Sequence, residues 1–199
     1  MFVINRRYRW SCALLAFGLL VSGLAVARAA EPKVRIIRPD RPNEVVFPSE
    51  SARFVRLLIH RASRNQPCID ELEVFGADGE KNLAAVASGA VATASSCLSG
   101  YVQHAVEHLN DGEYGNGNSW ISAEESGEWA QIEFSDVVEV SKIVFSRDRD
   151  GRFSDRVPVD FEVQLSRTGS DWKTVAHVVG RVVASVARSG SDLATLLPA

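Results

Sequence analysis

From Trp129 to Val179 the chain is a succession of short segments in which apolar and polar residues alternate, each bounded by turn-forming residues. That period confines this part of the chain to half-buried β-strands. Trp129-Ala130-Gln131-Ile132-Glu133-Phe134, Val140-Ser141-Lys142-Ile143-Val144-Phe145 and Phe161-Glu162-Val163-Gln164-Leu165 read as strands, and Ser166 to Asp171 reads as a hairpin turn into a further strand, Lys173 to Val179. Just ahead lies His108-Leu109-Asn110-Asp111-Gly112-Glu113-Tyr114-Gly115-Asn116-Gly117-Asn118-Ser119-Trp120, too polar and glycine-rich for a helix or a regular strand. It is a structured loop.

The pieces come in a particular order: Asp111-Gly112, Ser119-Trp120, Trp129-x-x-Ile132, Ile-x-Phe, Phe161-x-Val163-x-Leu165-Ser166 and Gly169-x-x-Trp172. In that order the chain resembles the discoidin, or coagulation factor 5/8 type C, domain over about half its length. The resemblance implies an all-β fold, an antiparallel β-sandwich of jelly-roll, galactose-binding-like type, and a non-catalytic binding role. One departure stands out. Segments resembling the last two strands of such domains, Ala52 to Leu57 and Ile69 to Gly76, precede the Asp-Gly loop here. Either the strand order is circularly permuted or these are the tail of a lost preceding domain; permutation is favoured, because a sandwich lacking two strands would expose an unpaired edge.

The front of the chain has its own character. Arg6, Arg7 and Arg9 precede the apolar run Cys12 to Val21, and Ala27-Arg28-Ala29 supplies small residues where a signal peptidase reads, so residues 1–29 are expected to be a cleaved signal peptide rather than a membrane anchor. Four of the 22 basic residues and no acid lie in 1–29, leaving 18 basic against 25 acidic residues, a net charge of −7. A secreted or periplasmic protein follows, without stable membrane insertion after cleavage, and with no electrostatic reason to bind nucleic acid. Residues 30–51 carry Pro32, Pro39, Pro42 and Pro48 and read as a linker with short extended pieces; 52–180 is the sandwich, and 181–199 an irregular or short helical tail.

No zinc spacing, nucleophile elbow, P-loop or dinucleotide fingerprint occurs, so nothing in the sequence argues for an enzyme. Three features invite chemistry. Cys68 and Cys97 remain after cleavage and form a natural disulfide in an oxidising compartment, the other reading being two buried thiols. The loop from Asn110 to Ser119 offers the oxygen donors a hard cation takes, and the resemblance implies a structural calcium held by Asp111, Ser119 and Glu71. An Asx turn in which Asp111 caps its own backbone accounts for the same residues.

The third feature is Arg147 to Arg156, where Arg147, Arg149, Arg152 and Arg156 surround Phe153. Arginine forks and an aromatic ring suit a sugar's hydroxyls and apolar face, and Tyr114 is a further ligand-binding candidate; a solvated, internally paired turn is the competing reading. Trp129 and Trp172 each open a strand and are expected in the core. The function expected is glycan binding, at a sugar or a glycosylated surface. The alternative is a structural or protein-interaction module, or the remnant of an accessory domain of a larger secreted enzyme. An exposed Phe153 or Tyr114 beside free arginines favours the glycan; a fully paired loop with Phe153 buried favours a protein partner.

Overall fold

The computed structural model describes residues 30–183; the expected signal peptide and most of the expected tail lie outside them. Nine strands are described: β1 Pro32–Ile37, β2 Asn43–Ala62, β3 Cys68–Ile69, β4 Glu71–Phe75, β5 Val91–Ala94, β6 Trp120–Ile121, β7 Glu128–Ser146, β8 Pro158–Ser166 and β9 Lys173–Val182. The only helical pieces among the described residues are the 3-10 turns Val86–Ser88 and Val106–Leu109.

Two long strands organise the sheet. β2 and β7 run antiparallel along one another, with Val45 opposite Ile143 at one end and Leu57 opposite Ala130 at the other. Register shifts fall between Val46 and Glu50 and between Ala52 and Phe54. Pro48 lies inside the first shift, where the missing N–H costs no ladder bond. Bulges of this kind bend a strand so that one ribbon serves both layers of a sandwich. The second half of β2 pairs also with β8, and the first half of β7 with β5; the second half of β7 pairs with β4. The path is β1-β9-β8-β2-β7-β4, with β5 beside β7, and β3 pairs β6 in a separate ladder.

The core lies between these layers. Val55, Leu57 and Ile59 of β2, Ala130 and Ile132 of β7, and Phe161 and Val163 of β8 alternate inward and are fully buried. Phe145 of β7 meets Phe161 of β8 edge-on at 5.2 Å, closing one layer over the other. Trp120 is buried completely, and its indole N–H donates to the Ser96 carbonyl at 2.8 Å.

This is the all-β sandwich the alternation pointed to, with three differences. The stretch 30–51 is not a linker: Pro32–Ile37 pairs parallel with β9, and the rest leads into β2. β1 is therefore a parallel addition to an otherwise antiparallel sheet. The segments 129–134 and 140–145 are one strand, which runs through the mostly solvent-facing Ser135 to Glu139, with Val138 and Glu139 pairing with Ala52 and Ser51 of β2 beyond the bend. Trp129 and Trp172 are only half-buried. They hold the Arg56 guanidinium on the outer sheet face, 4.4 and 3.8 Å from their ring centres.

Candidate functional site

Three loops gather at one end of the sandwich: 63–67 after β2, 110–119 before β6, and 147–157 between β7 and β8. Backbone bonds join the first and third, from Ser63 N–H to the Val157 carbonyl and from Cys68 N–H to that of Arg156, each 2.9 Å. Two buried aspartates join the second and third. Asp148 accepts from the backbone N–H groups of Asn116 (3.1 Å), Arg152 (3.0 Å) and Phe153 (2.7 Å). Asp70 accepts from those of Gly115 (2.9 Å) and Arg149 (2.8 Å), and from the Ser146 hydroxyl. A carboxylate surrounded by N–H donors can stay buried and fix the backbone around it. Gly115 has φ 90° and passes so close to Asp150 that a Cβ would sit 2.5 Å from its carboxylate, which reserves this position for glycine.

Above this frame a cavity of about 320 Å³ opens, lined by Tyr101, His104, Asn116, Arg147, Phe153 and Arg156, with Asp155, Leu98 and Ile121. Arg147 has a nearly buried side chain, held by Asn116 Oδ1 at 2.8 Å, the Asp155 carbonyl at 2.8 Å and the Asp155 carboxylate at 3.0 Å. Its guanidinium lies 5.3 Å from the Phe153 ring centre. Phe153 itself is 45% exposed. Arg156 pairs with Asp155 and donates to the Gln66 side chain. His104 Nδ1 meets the Ser119 hydroxyl at 2.9 Å. Burial, then the charges of Arg147 and Arg156, hold the His104 imidazole below its usual pKa, which favours the neutral ring.

The expected ligand-binding residues fall into two groups. Arg147, Phe153 and Arg156 line the cavity. Arg149 and Tyr114 form a separate stack, 4.0 Å from guanidinium to ring centre, and Arg149 is further engaged by Glu73 and by the Ser146 hydroxyl at 2.7 Å. Tyr114 is 39% exposed, and Arg152 is exposed beside Phe153, its side chain unpartnered among the described residues. Sequence reasoning did not single out His104, Asp148 or Asp70 as builders of the site. Nothing in their local sequence separates a buried aspartate that staples two loops from a solvated one.

Of the three residues expected at calcium, Glu71 and Asp111 lie together and Ser119 is engaged elsewhere. Glu71 is buried and accepts from Gly112 N–H at 3.2 Å. Burial pushes its carboxyl up to about 8 against that hydrogen bond, and the charges of Asp111 and Glu73 add to the rise. Asp111 accepts from Glu113 N–H at 2.8 Å, the Asx turn, and meets His108 Nδ1 at 2.7 Å. The Ser119 hydroxyl donates to the Asn116 carbonyl at 3.1 Å and faces His104. Among the described residues no three His, Cys, Asp or Glu side chains converge as a metal cluster. Two of the three expected donors, Glu71 and Asp111, are thus neighbours through the Asp111-Gly112 turn, and the third is engaged elsewhere.

The expected Cys68–Cys97 disulfide is not formed; both are free thiols. Cys68 is buried on β3 within 4.0 Å of the Arg147 carbonyl, whereas Cys97 is exposed and its thiol contacts the His104 carbonyl at 2.8 Å. Each sulfur is directed to a different backbone oxygen.

The family profile of the F5/8 type C domain matches residues 91–196, just over half of the chain. The chain belongs to the F5/8 type C domain family. A comparison with curated proteins gave no match. Strands β1 to β4 precede the matched residues, yet β2 lies between β7 and β8 and β4 borders β7, so the upstream segment completes the F5/8 type C sheet. Such domains are β-sandwich binding modules, generally non-catalytic, which take carbohydrates, lipids or proteins and occur in extracellular proteins. No described helix is long and apolar enough to cross a membrane.

Proposed function

We propose that this chain is a secreted, non-catalytic glycan-binding module and that the cavity between Tyr101, Phe153 and Arg156 receives the sugar. The observation that carries the reading is the half-exposed Phe153 ring on the rim of a cavity whose polar lining is already oriented. A sugar ring has an apolar face for such an aromatic and hydroxyls for the planar groups below it. Asn116 fixes one arm of Arg147, Asp155 fixes another, and Ser119 holds His104, so these groups are ordered before a ligand arrives. Preorganised polar groups in a mostly formed cavity keep the entropy cost of binding low. Exposure of Phe153 and Tyr114, with Arg152 unpaired, favours a glycan over a protein partner by the criterion set out from the sequence.

A structural calcium belongs to the same proposal. Glu71 and Asp111 would hold it, and its chemistry there is charge neutralisation beneath the loop, remote from sugar recognition. Glu71 would exchange an uncompensated burial for a paired one.

Glycan-array screening followed by titration calorimetry tests the main reading. Phe153→Ala is expected to weaken binding about tenfold or more, with an unchanged melting temperature, since the ring is half-exposed. Unchanged affinity in Phe153→Ala, or no saccharide bound by the wild-type protein, overturns it.

A further inference from the structure

A second cavity of about 320 Å³ adjoins the first, lined by Ser63, Arg64, Ser154, Asp155 and Val182. Asp155 is a wall of both. Each is at the small end of the volumes that hold ligands, roughly 300–1,000 Å³, so one sugar unit per cavity is the natural occupancy. The shared wall makes them neighbours along one chain of sugars.

The charge around that wall is unbalanced. The residues lining the two cavities include three arginines, Arg64, Arg147 and Arg156, and a single acid, Asp155. Asp155 is already used twice, by Arg147 at 3.0 Å and by Arg156 at 3.5 Å. Asp148 lies beneath the loop with its carboxylate given to three backbone N–H groups, and Asp150 faces Gly115. Arg64 is exposed and has no ion-pair partner among the described residues. The Ser63 hydroxyl oxygen is buried there without a hydrogen-bond partner among the described residues. The free guanidinium of Arg64 on the cavity wall is a fork of donors awaiting acceptor oxygens, while the Ser63 hydroxyl is enclosed beneath it. This surplus is local, since the chain as a whole carries a net charge of −3.

We propose that the cavity at Ser63, Arg64 and Ser154 is a second saccharide subsite, and that it takes an acidic sugar whose carboxylate or sulfate is held by Arg64. The inference rests on the glycan reading of the first cavity and names the ligand class: an oligosaccharide of at least two units, anionic at the second. Arg64 lies at the turn after β2, which Ser63 anchors to the 147–157 loop through the Val157 carbonyl, so its backbone is fixed while its side chain remains available.

The test is calorimetric titration of the protein purified from a secreting host with three probes: a neutral galacto-oligosaccharide, an oligogalacturonide, and a sulfated galacto-oligosaccharide. Wild-type protein is expected to bind one of the anionic probes about three- to tenfold more tightly than the neutral one, an advantage that shrinks with added salt. The two anionic arms tell carboxylate from sulfate. Arg64→Gln, at an exposed position, is expected to abolish the advantage while leaving neutral-sugar affinity unchanged. Equal affinity for neutral and anionic probes, or an anionic preference that survives Arg64→Gln, overturns the second subsite and leaves the first standing. Failure of all three probes overturns the second subsite, and the first falls with it only where the glycan array also finds no saccharide bound.

Discussion

Asp148→Ala would strand three backbone donors at once, the N–H groups of Asn116, Arg152 and Phe153. A donor left without a partner in a buried site costs about 1–3 kcal/mol, and these three are only part-buried. Removing the aspartate also removes the desolvation cost of a buried charge, so the lower end applies to each. The sum is about 3 kcal/mol, and in a domain of this size each kcal/mol lowers the melting temperature by roughly 2–4 °C. Differential scanning calorimetry should therefore show a fall of about 6–12 °C. Asp148→Asn separates the contributions: its amide oxygen can still accept from Arg152 and Phe153, but its NH2 group confronts the N–H of Asn116. Its cost should be about a third to a half that of the alanine variant. The alanine variant should bind saccharide less well, because Phe153 and Asn116 lose the anchor that orders them, and the asparagine variant should lose less, because only Asn116 does. A fall of less than about 2 °C for Asp148→Ala would mean that the two loops are joined by something other than this carboxylate, and the argument for a preorganised cavity would fail with it.

Other outcomes follow from the same geometry. Thiol titration of the native protein should find Cys97 reactive and Cys68 silent until denaturation, since burial pushes the Cys68 thiol up to about 11. Calcium should raise the melting temperature of wild-type protein relative to chelator, and Asp111→Ala should lose that rise. Burial raises the Glu162 carboxyl, but hydrogen bonds from Thr174, Gln164 and His60 outweigh it and hold its pKa below the ordinary 4.5. A depressed carboxyl stabilises the fold above that value and loses its contribution as the pH falls through the folded pKa. Acid-unfolding curves of Glu162→Gln should thus converge with wild type at low pH and lie below it at neutral pH.

How far the fold could be read in advance depended on where the period was kept. Phe161 to Leu165 alternates cleanly because β8 turns one face to the core, and its inward residues are all buried. β2 and β7 bend between layers, and there the signal changes meaning. Pro48 looked like a breaker and is a bulge residue; Ser135 to Glu139 looked like a loop and is a bend in a continuous strand. At the site, the sequence left open whether Phe153 is exposed or buried, and the structure places it half-exposed on the cavity rim. The division of labour among the arginines was not legible. Whether a guanidinium is buried against Asn116, stacked on Tyr114 or left to solvent is decided by strands and loops distant in sequence. The same holds for Trp129 and Trp172, whose position at strand starts suggested the core but whose register places them on the open face around Arg56.

The central place of β2 has a consequence for how the chain is made. It leaves the ribosome before any strand it pairs with, and the stretch from Ser63 to Gly127 must follow before β7 begins, with β8 later still. Contacts so distant in sequence form late, because loop closure precedes any gain from pairing. No early, self-sufficient folding unit is available to the nascent polypeptide. Its apolar β2 stays unpaired until the closing strands are released and needs shielding from neighbours for the same interval.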